Sequence, residues 1–218
     1  MNESAKQNLL IIGASGHGKV VADTALKMNK WQRIAFLDDD ESLKVSLGFD
    51  IIGTSKDIEA YINDWDIFVA IGNNTIREKI QVELQAQGAT FPILIHPSAA
   101  IGKEVEIAEG TVIMAGVVIN SSTKIGRGCI INTSATVDHD NLIEDFAHIS
   151  PGVHLAGTVI IGKGTWIGIG SIVSNNLEII SGAILGAGAV VLKDINETGV
   201  YVGVPARRIN YGKDFNTS

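Results

Sequence analysis

A single cysteine, Cys129, and only four prolines occur in the 218-residue sequence. One cysteine excludes an intrachain disulfide framework and fits a reducing cytoplasm. Cations are scarce as well: 17 Lys and Arg stand against 24 Asp and Glu, a net charge of −7. That balance argues against general binding of nucleic acid or of an anionic membrane, although a local basic patch can still hold an anion. The opening stretch "MNESAKQNLLII" offers one lysine and a four-residue apolar run. It is too short for a signal h-region or a membrane span. Glycine, by contrast, is plentiful at 24 residues, where a share of about 7% is usual. With so few prolines, the glycines mark turns rather than disorder.

The second half repeats in sixes. From Ile101 through Ile107, Ile113 and so on to Val191, all sixteen positions of the series are aliphatic. Four residues after each comes a second series, from Val105, Thr111 and Val117 to Ile195, in which thirteen of sixteen residues are Val or smaller. A helix would repeat at 3.6 and an ordinary strand at two. A fixed period of six predicts a hexapeptide β-helix: one short strand and one turn per hexad, aliphatic residues stacking inward, small residues filling the corners. Asn141 and Leu177 break the small-residue rule, and a broken rule in a regular repeat marks a place to look for function.

The first half reads as a small α/β domain. "NLLIIGASGHGKVVADTAL" is a buried strand, a Gly-rich turn and a helix with Val20, Val21, Thr24 and Ala25 facing inward. "RIAFLDDD" and "WDIFVAIG" are two further strands; Asn73-Asn74 starts a second helix with Ile76, Ile80 and Leu84 on one face, and Gly88 stops it. Strands alternating with helices predict a parallel sheet. The boundary falls near Phe91 to Pro97, which gives domains of 1–95 and 96–218. The turn from Gly13 to Gly18 has the spacing G-x-x-G-x-G rather than the dinucleotide fingerprint, yet it offers a phosphate the same close backbone and helix N-terminus. Acids at Asp38 and a glycine at Gly72 end the next two strands, where open α/β sheets bind ligands.

"GASGHGKV", "FLDDD", "AIGNNTIREKI", "LIHPSA", "INTSATVDHD", "FAHISPG" and "GVYVGVPARRI" together resemble the bacterial amino-sugar N-acetyltransferases and sialic acid O-acetyltransferases, most of all the UDP-4-amino-sugar branch that makes N-acetylbacillosamine. The resemblance runs from about Leu9 to Ile209. It implies a Rossmann-like domain for the nucleotide sugar and a left-handed parallel β-helix, three hexads per coil and just over five coils, that trimerises with acetyl-CoA between neighbouring prisms. Carried over by motif, Ser15, Gly16 and His17 face the phosphates, Asp38 and Asp39 read the uridine, and Gly72 lies against it. His139 is the general base, and Asp140, where the family often has Glu, orients it. His148 and Ile169 contact acetyl-CoA.

The residues themselves lend His139 weight apart from any family. It stands between Asp138 and Asp140, and a carboxylate beside an imidazole fixes its tautomer and strengthens it as a base. His96 and His154 read as structural or packing residues. Two other function classes remain in view: a three-histidine zinc site from His139, His148 and His154, and a non-enzymatic sugar-nucleotide sensor. Consecutive hexad ends, however, send His148 and His154 to different faces, and metal ligands must converge. For a polyanionic coenzyme in an acidic chain, Lys193, Arg207 and Arg208 supply the local cations. Outward-pointing Met114, Val118, Ile130, Ile160, Trp166 and Ile172 predict a buried homotrimer contact.

Overall fold

The structure is a computed structural model and describes residues 6–209. Residues 1–5, within the stretch read for a signal segment, and 210–218, the end of the C-terminal tail, lie outside the described residues.

Three parallel strands, β1 (Asn8–Ile12), β2 (Arg33–Leu37) and, after a short hairpin and a 3-10 turn, the strand Trp65–Val69, form the N-terminal sheet in the order β2, β1, Trp65–Val69. The strands are apolar on both faces because both are covered. Helix α1 (Gly16–Met28) covers one face with Gly18, Val21, Ala22 and Ala25, an i, i+3, i+4, i+7 stripe. Val20, expected inward, is one residue off that stripe and is exposed.

Helix α2 (Asn74–Ala86) begins where expected: the Asn73 side chain accepts from Ile76 N at 3.0 Å. Its buried face differs from the expected one. Leu84 is buried, but Ile76 is exposed, and Arg77 and Gln81 are the residues that point inward. The reason is the surface it docks on, an edge of the β-helix made of turn carbonyls. Asn74 Nδ2 donates to Gly164 O (3.0 Å), Arg77 Nε to Gly128 O (2.7 Å) and Arg77 Nη2 to Phe146 O (3.0 Å). Gln85 donates to Glu109, while Gln81 is buried beside Gly110 and Gly128 with its Nε2 lacking a hydrogen-bond partner among the described residues. Such a surface needs donors, not methyl groups. The rise of about 5.4 Å per helical turn nearly matches the spacing of about 4.8 Å between stacked strands, so residues one turn apart on α2 meet successive coils.

From Leu94 onward the chain winds as a left-handed parallel β-helix of about six turns. Pairs such as Ile131 with Ile149, eighteen residues apart, show three hexads per coil. One face stacks the rungs Leu94–Ile95, Val112–Ile113, Ile130–Ile131, His148–Ile149, Trp166–Ile167 and Ile184–Leu185. A second runs from Ala100–Ile101 to Val190–Val191, and a third from Glu106–Ile107 to Glu178–Ile179. The first rung therefore precedes Ile101, where the repeat was expected to start. Ile113, Ile131, Ile149 and Ile167 are fully buried in the prism, and each such side chain contributes roughly 1.5–3 kcal/mol. Two outward residues assigned to a trimer contact are covered within the chain instead: Met114 and Ile130 pack under the N-terminal domain. Val118, Ile160, Trp166 and Ile172 remain exposed.

Candidate active site

The corner Asp138-His139-Asp140-Asn141 joins the rung Thr136–Val137 on the second face to Leu142–Ile143 on the third. Asp138 Oδ1 accepts from His139 N (2.9 Å) and from Asn120 Nδ2 (2.8 Å). Asp140 adopts φ +57°, which turns its carboxylate back on its neighbour, and His139 Nδ1 donates to Asp140 Oδ2 at 2.7 Å. That bond leaves Nε2 as the basic nitrogen. It also raises the His139 pKa; desolvation opposes this, and the charges of Asp138 and Asp140 add to it. The ring is half exposed and lies over Gly157 of the next coil, where a Cβ would stand 2.6 Å from Cε1 and Nε2. Only a glycine leaves room for the imidazole there.

His148 is elsewhere. It lies on the first face, buried where the two domains meet, stacked on Trp166 at 5.5 Å with Nε2 against Asn132 Nδ2 (3.2 Å). His17, in the first turn of α1, is half-buried, with its Nε2 turned away from solvent. Its Nε2 and the Nδ1 of His148 have no hydrogen-bond partner among the described residues. Burial, followed by the nearby Arg77 cation, lowers His17 to about 4 and His148 to about 3, so both are neutral. Arg77 is itself 1% exposed and holds Ile71 O (2.9 Å) and Gly72 O (3.1 Å) besides the β-helix carbonyls. The sequence reading passed over Arg77; its only signal was an i, i+4, i+7 series with Gln81 and Leu84, in competition with the isoleucines beside it. His154 lies on the second face, hydrogen-bonded to Thr136, so His148 and His154 leave different faces as expected. Among the described residues no three His, Cys, Asp or Glu side chains are grouped to hold a metal.

At the C-terminal ends of the parallel strands a cavity of about 500 Å³ opens between Gly13, Asp38, Asp39, Ile71, Ile76 and Ile80. The exposed Ile76 and the half-buried Ile80 of α2 thus form an apolar wall. Asp38 is partly engaged, accepting from Ala14 N (2.7 Å) and Asp40 N (2.9 Å). Asp39 Oδ1 accepts from Ser55 N (2.9 Å), a bond that lowers its pKa. Ser15 and Gly16 are exposed at the start of α1, just beyond the wall. Gly18 permits the tight turn: a Cβ on it would fall 1.9 Å from Gly13 O.

Lys193 and Arg207 line a separate cavity of about 240 Å³ at the far end of the β-helix. There Arg208 pairs with Glu197 at 3.1 Å. No carboxylate pairs with Lys193 or Arg207 among the described residues. Ile169 is exposed on the corner after Trp166–Ile167. His139, His148, Lys193 and the strand-end cavity are four separate places on one chain. No helix among the described residues is long and apolar enough to cross a membrane.

Comparison with known proteins gives the chain a family. Residues 8–84 match the family described as the PglD N-terminal domain. The acetyltransferase domain of PglB from Neisseria gonorrhoeae, solved also with acetyl coenzyme A, superposes with a TM-score of 0.91 at 40–41% identity, covering 93–94% of this chain and all of that one. PerB of Caulobacter crescentus, solved with CoA and GDP-perosamine, superposes with a TM-score of 0.88 at 34% identity over 93% of this chain and 97% of that one. The UDP-N-acetylbacillosamine N-acetyltransferase of Bacillus subtilis is 36% identical over 50% of this chain and 52% of its own. With its β-helix, its PglD-type first domain and its near full-length likeness to these proteins, the chain belongs to the bacterial acetyl-CoA-dependent sugar acetyltransferases.

Proposed function

We propose that the protein transfers an acetyl group from acetyl-CoA to the 4-amino group of a UDP-linked 4-amino-6-deoxy sugar in the cytoplasm. The observation that carries this reading is the His139–Asp140 pair, an imidazole with Nδ1 anchored at 2.7 Å and Nε2 free. The amine nitrogen attacks the thioester carbonyl as His139 Nε2 takes its proton. The C–S bond then breaks and coenzyme A leaves as the thiol once protonated. General-base catalysis of this kind supplies roughly 10²–10⁴-fold.

In this reading residues 1–95 hold the acceptor and 96–218 the donor. The strand-end cavity takes the nucleoside: Ile76 and Ile80 offer an apolar wall to the base, and Asp39 keeps one oxygen for a base N–H. Ser15, Gly16 and His17 face the diphosphate from the positive end of α1, and Gly72 flanks it. Lys193 and Arg207 meet the coenzyme's phosphates, while His148 and Ile169 line its path. These places are spread over one chain, so the site is completed by a second copy. The exposed Val118 and Ile172 of the second face support a homotrimer of prisms. Sedimentation should then give about three times 23.1 kDa. Mixing a His139→Ala chain with an Arg207→Glu chain should restore activity in mixed trimers; no restoration would place each site within one chain.

Relatives named for GDP-perosamine keep a second nucleotide in view, and sialic acid O-acetylation is the runner-up reaction. A panel of UDP-, GDP- and dTDP-linked amino sugars and sialic acids with acetyl-CoA decides between them. Turnover confined to a GDP-linked sugar or to sialic acid would overturn the UDP reading.

A further inference from the structure

At several corners a hydroxyl residue four places after the inward aliphatic one links its corner to the next coil. Thr111 Oγ1 donates to Gly126 O (2.8 Å) and accepts from Cys129 N (3.0 Å). Thr123 Oγ1 likewise donates to Asp138 O (2.8 Å) and accepts from Asn141 N (3.3 Å). Thr165 and Ser171 donate to Ile180 O and Gly186 O. Asn141 makes the same vertical link, from Nδ2 to Ala156 O (3.0 Å) and to Oδ1 from Val159 N (2.8 Å). It adds a bond that none of these hydroxyls makes. Its Nδ2 also donates to Asp138 O, three residues back in its own corner, at 2.6 Å. The side chain is 2% exposed, so water does not compete for these bonds.

The corner closed in this way is the one that carries His139 and Asp140. We infer that Asn141 is a positioning residue for His139, which by tying the Asp138 carbonyl fixes the turn that keeps the imidazole over Gly157 and on Asp140. The inference rests on reading His139 as the base. It explains why the repeat admits an amide here where other coils use Thr, Ser or a small apolar residue.

Asn141→Thr separates positioning from mere scaffolding. Threonine restores the vertical link that Thr123 and Thr165 make, and Thr123 still satisfies the Asp138 carbonyl, so only the bonds within the corner, to Asp138 O and the longer one to His139 O (3.5 Å), are lost. In the full chain, with acetyl-CoA and the sugar nucleotide turned over in the panel above, Asn141→Thr should keep its melting temperature and both KM values. Its kcat should fall about tenfold to a hundredfold, the scale of a misplaced catalytic group. NMR titration, which needs no acceptor, should show the His139 pKa dropping back toward that of a free imidazole. Should the threonine chain fail to fold, Asn141→Ser, carrying the hydroxyl that Ser171 uses, gives the same reading. An unchanged kcat and His139 titration in the variant would overturn the inference. Measured beside it, His139→Ala distinguishes the two claims: a fully active His139→Ala chain removes the base itself, whereas an inactive one beside an undiminished Asn141→Thr removes only the positioning role.

Discussion

His139 rests on Gly157: its Nε2 and Cε1 lie 2.6 Å from where a Cβ on that glycine would stand. A single methyl group there displaces the ring without touching the prism core. Gly157→Ala should therefore fold normally, as circular dichroism and thermal melting would record, and lose roughly a hundredfold in kcat. Wild-type turnover in that variant would mean that the imidazole works from another position.

The pH dependence follows from the Asp140 bond. A general base must be neutral, so activity rises as pH climbs through its pKa. The His139 pKa is held above 6.5, first by the hydrogen bond to Asp140, so the acid limb of kcat/KM should lie above that value. Asp140→Asn weakens the bond, so the limb should move down and kcat should fall by less than in His139→Ala. A limb that stays in place would show that Asp140 does not set the basicity of His139.

Acid should loosen the domain junction. In the unfolded chain both His17 and His148 bind a proton near 6.5, but folded they wait until about 4 and about 3. Below 6.5 the unfolded state thus holds more protons. Stability is undiminished above that pH and falls beneath it, by about 1.4 kcal/mol per unit for each histidine. Denaturant midpoints between pH 6.5 and 5 should drop less steeply for His148→Gln than for the wild type. Parallel slopes would show that His148 takes up its proton in the folded chain.

At the far end of the prism, Arg207→Glu places a negative charge in the cavity assigned to the coenzyme's phosphates. Losing one charge-assisted bond should raise the KM for acetyl-CoA about tenfold or more, with kcat held. Added salt should shrink the difference. An unaltered KM would exclude Arg207 from the donor site.

The β-helix was legible because its period is dictated by stacking: every coil must present an aliphatic residue to the same axis, from Ile113 to Val191. His139 and Asp140 were legible because they are neighbours in sequence, as was Asn141 as an exception to the corner rule. The domain junction was not. Arg77 faces inward because α2 docks on carbonyls of residues 51 and 69 positions away, and nothing local to the helix announces that partner. The same junction hides Met114 and Ile130, which read from the repeat alone as outward residues of a trimer contact.

The docking of α2 has a consequence for how such chains can change length. Helix turns and stacked coils differ by only about 0.6 Å per step, so the two scales work like a vernier that stays in phase over the few steps from Gln85 to Asn74. Duplicating a coil between Gly110 and Gly164 would break that phase and strand the buried guanidinium of Arg77 against the wrong carbonyls. A coil added beyond Gly164 would leave every one of these bonds intact and only lengthen the prism. The free end is therefore where this architecture can grow, and the α2-bound end is where its length is fixed.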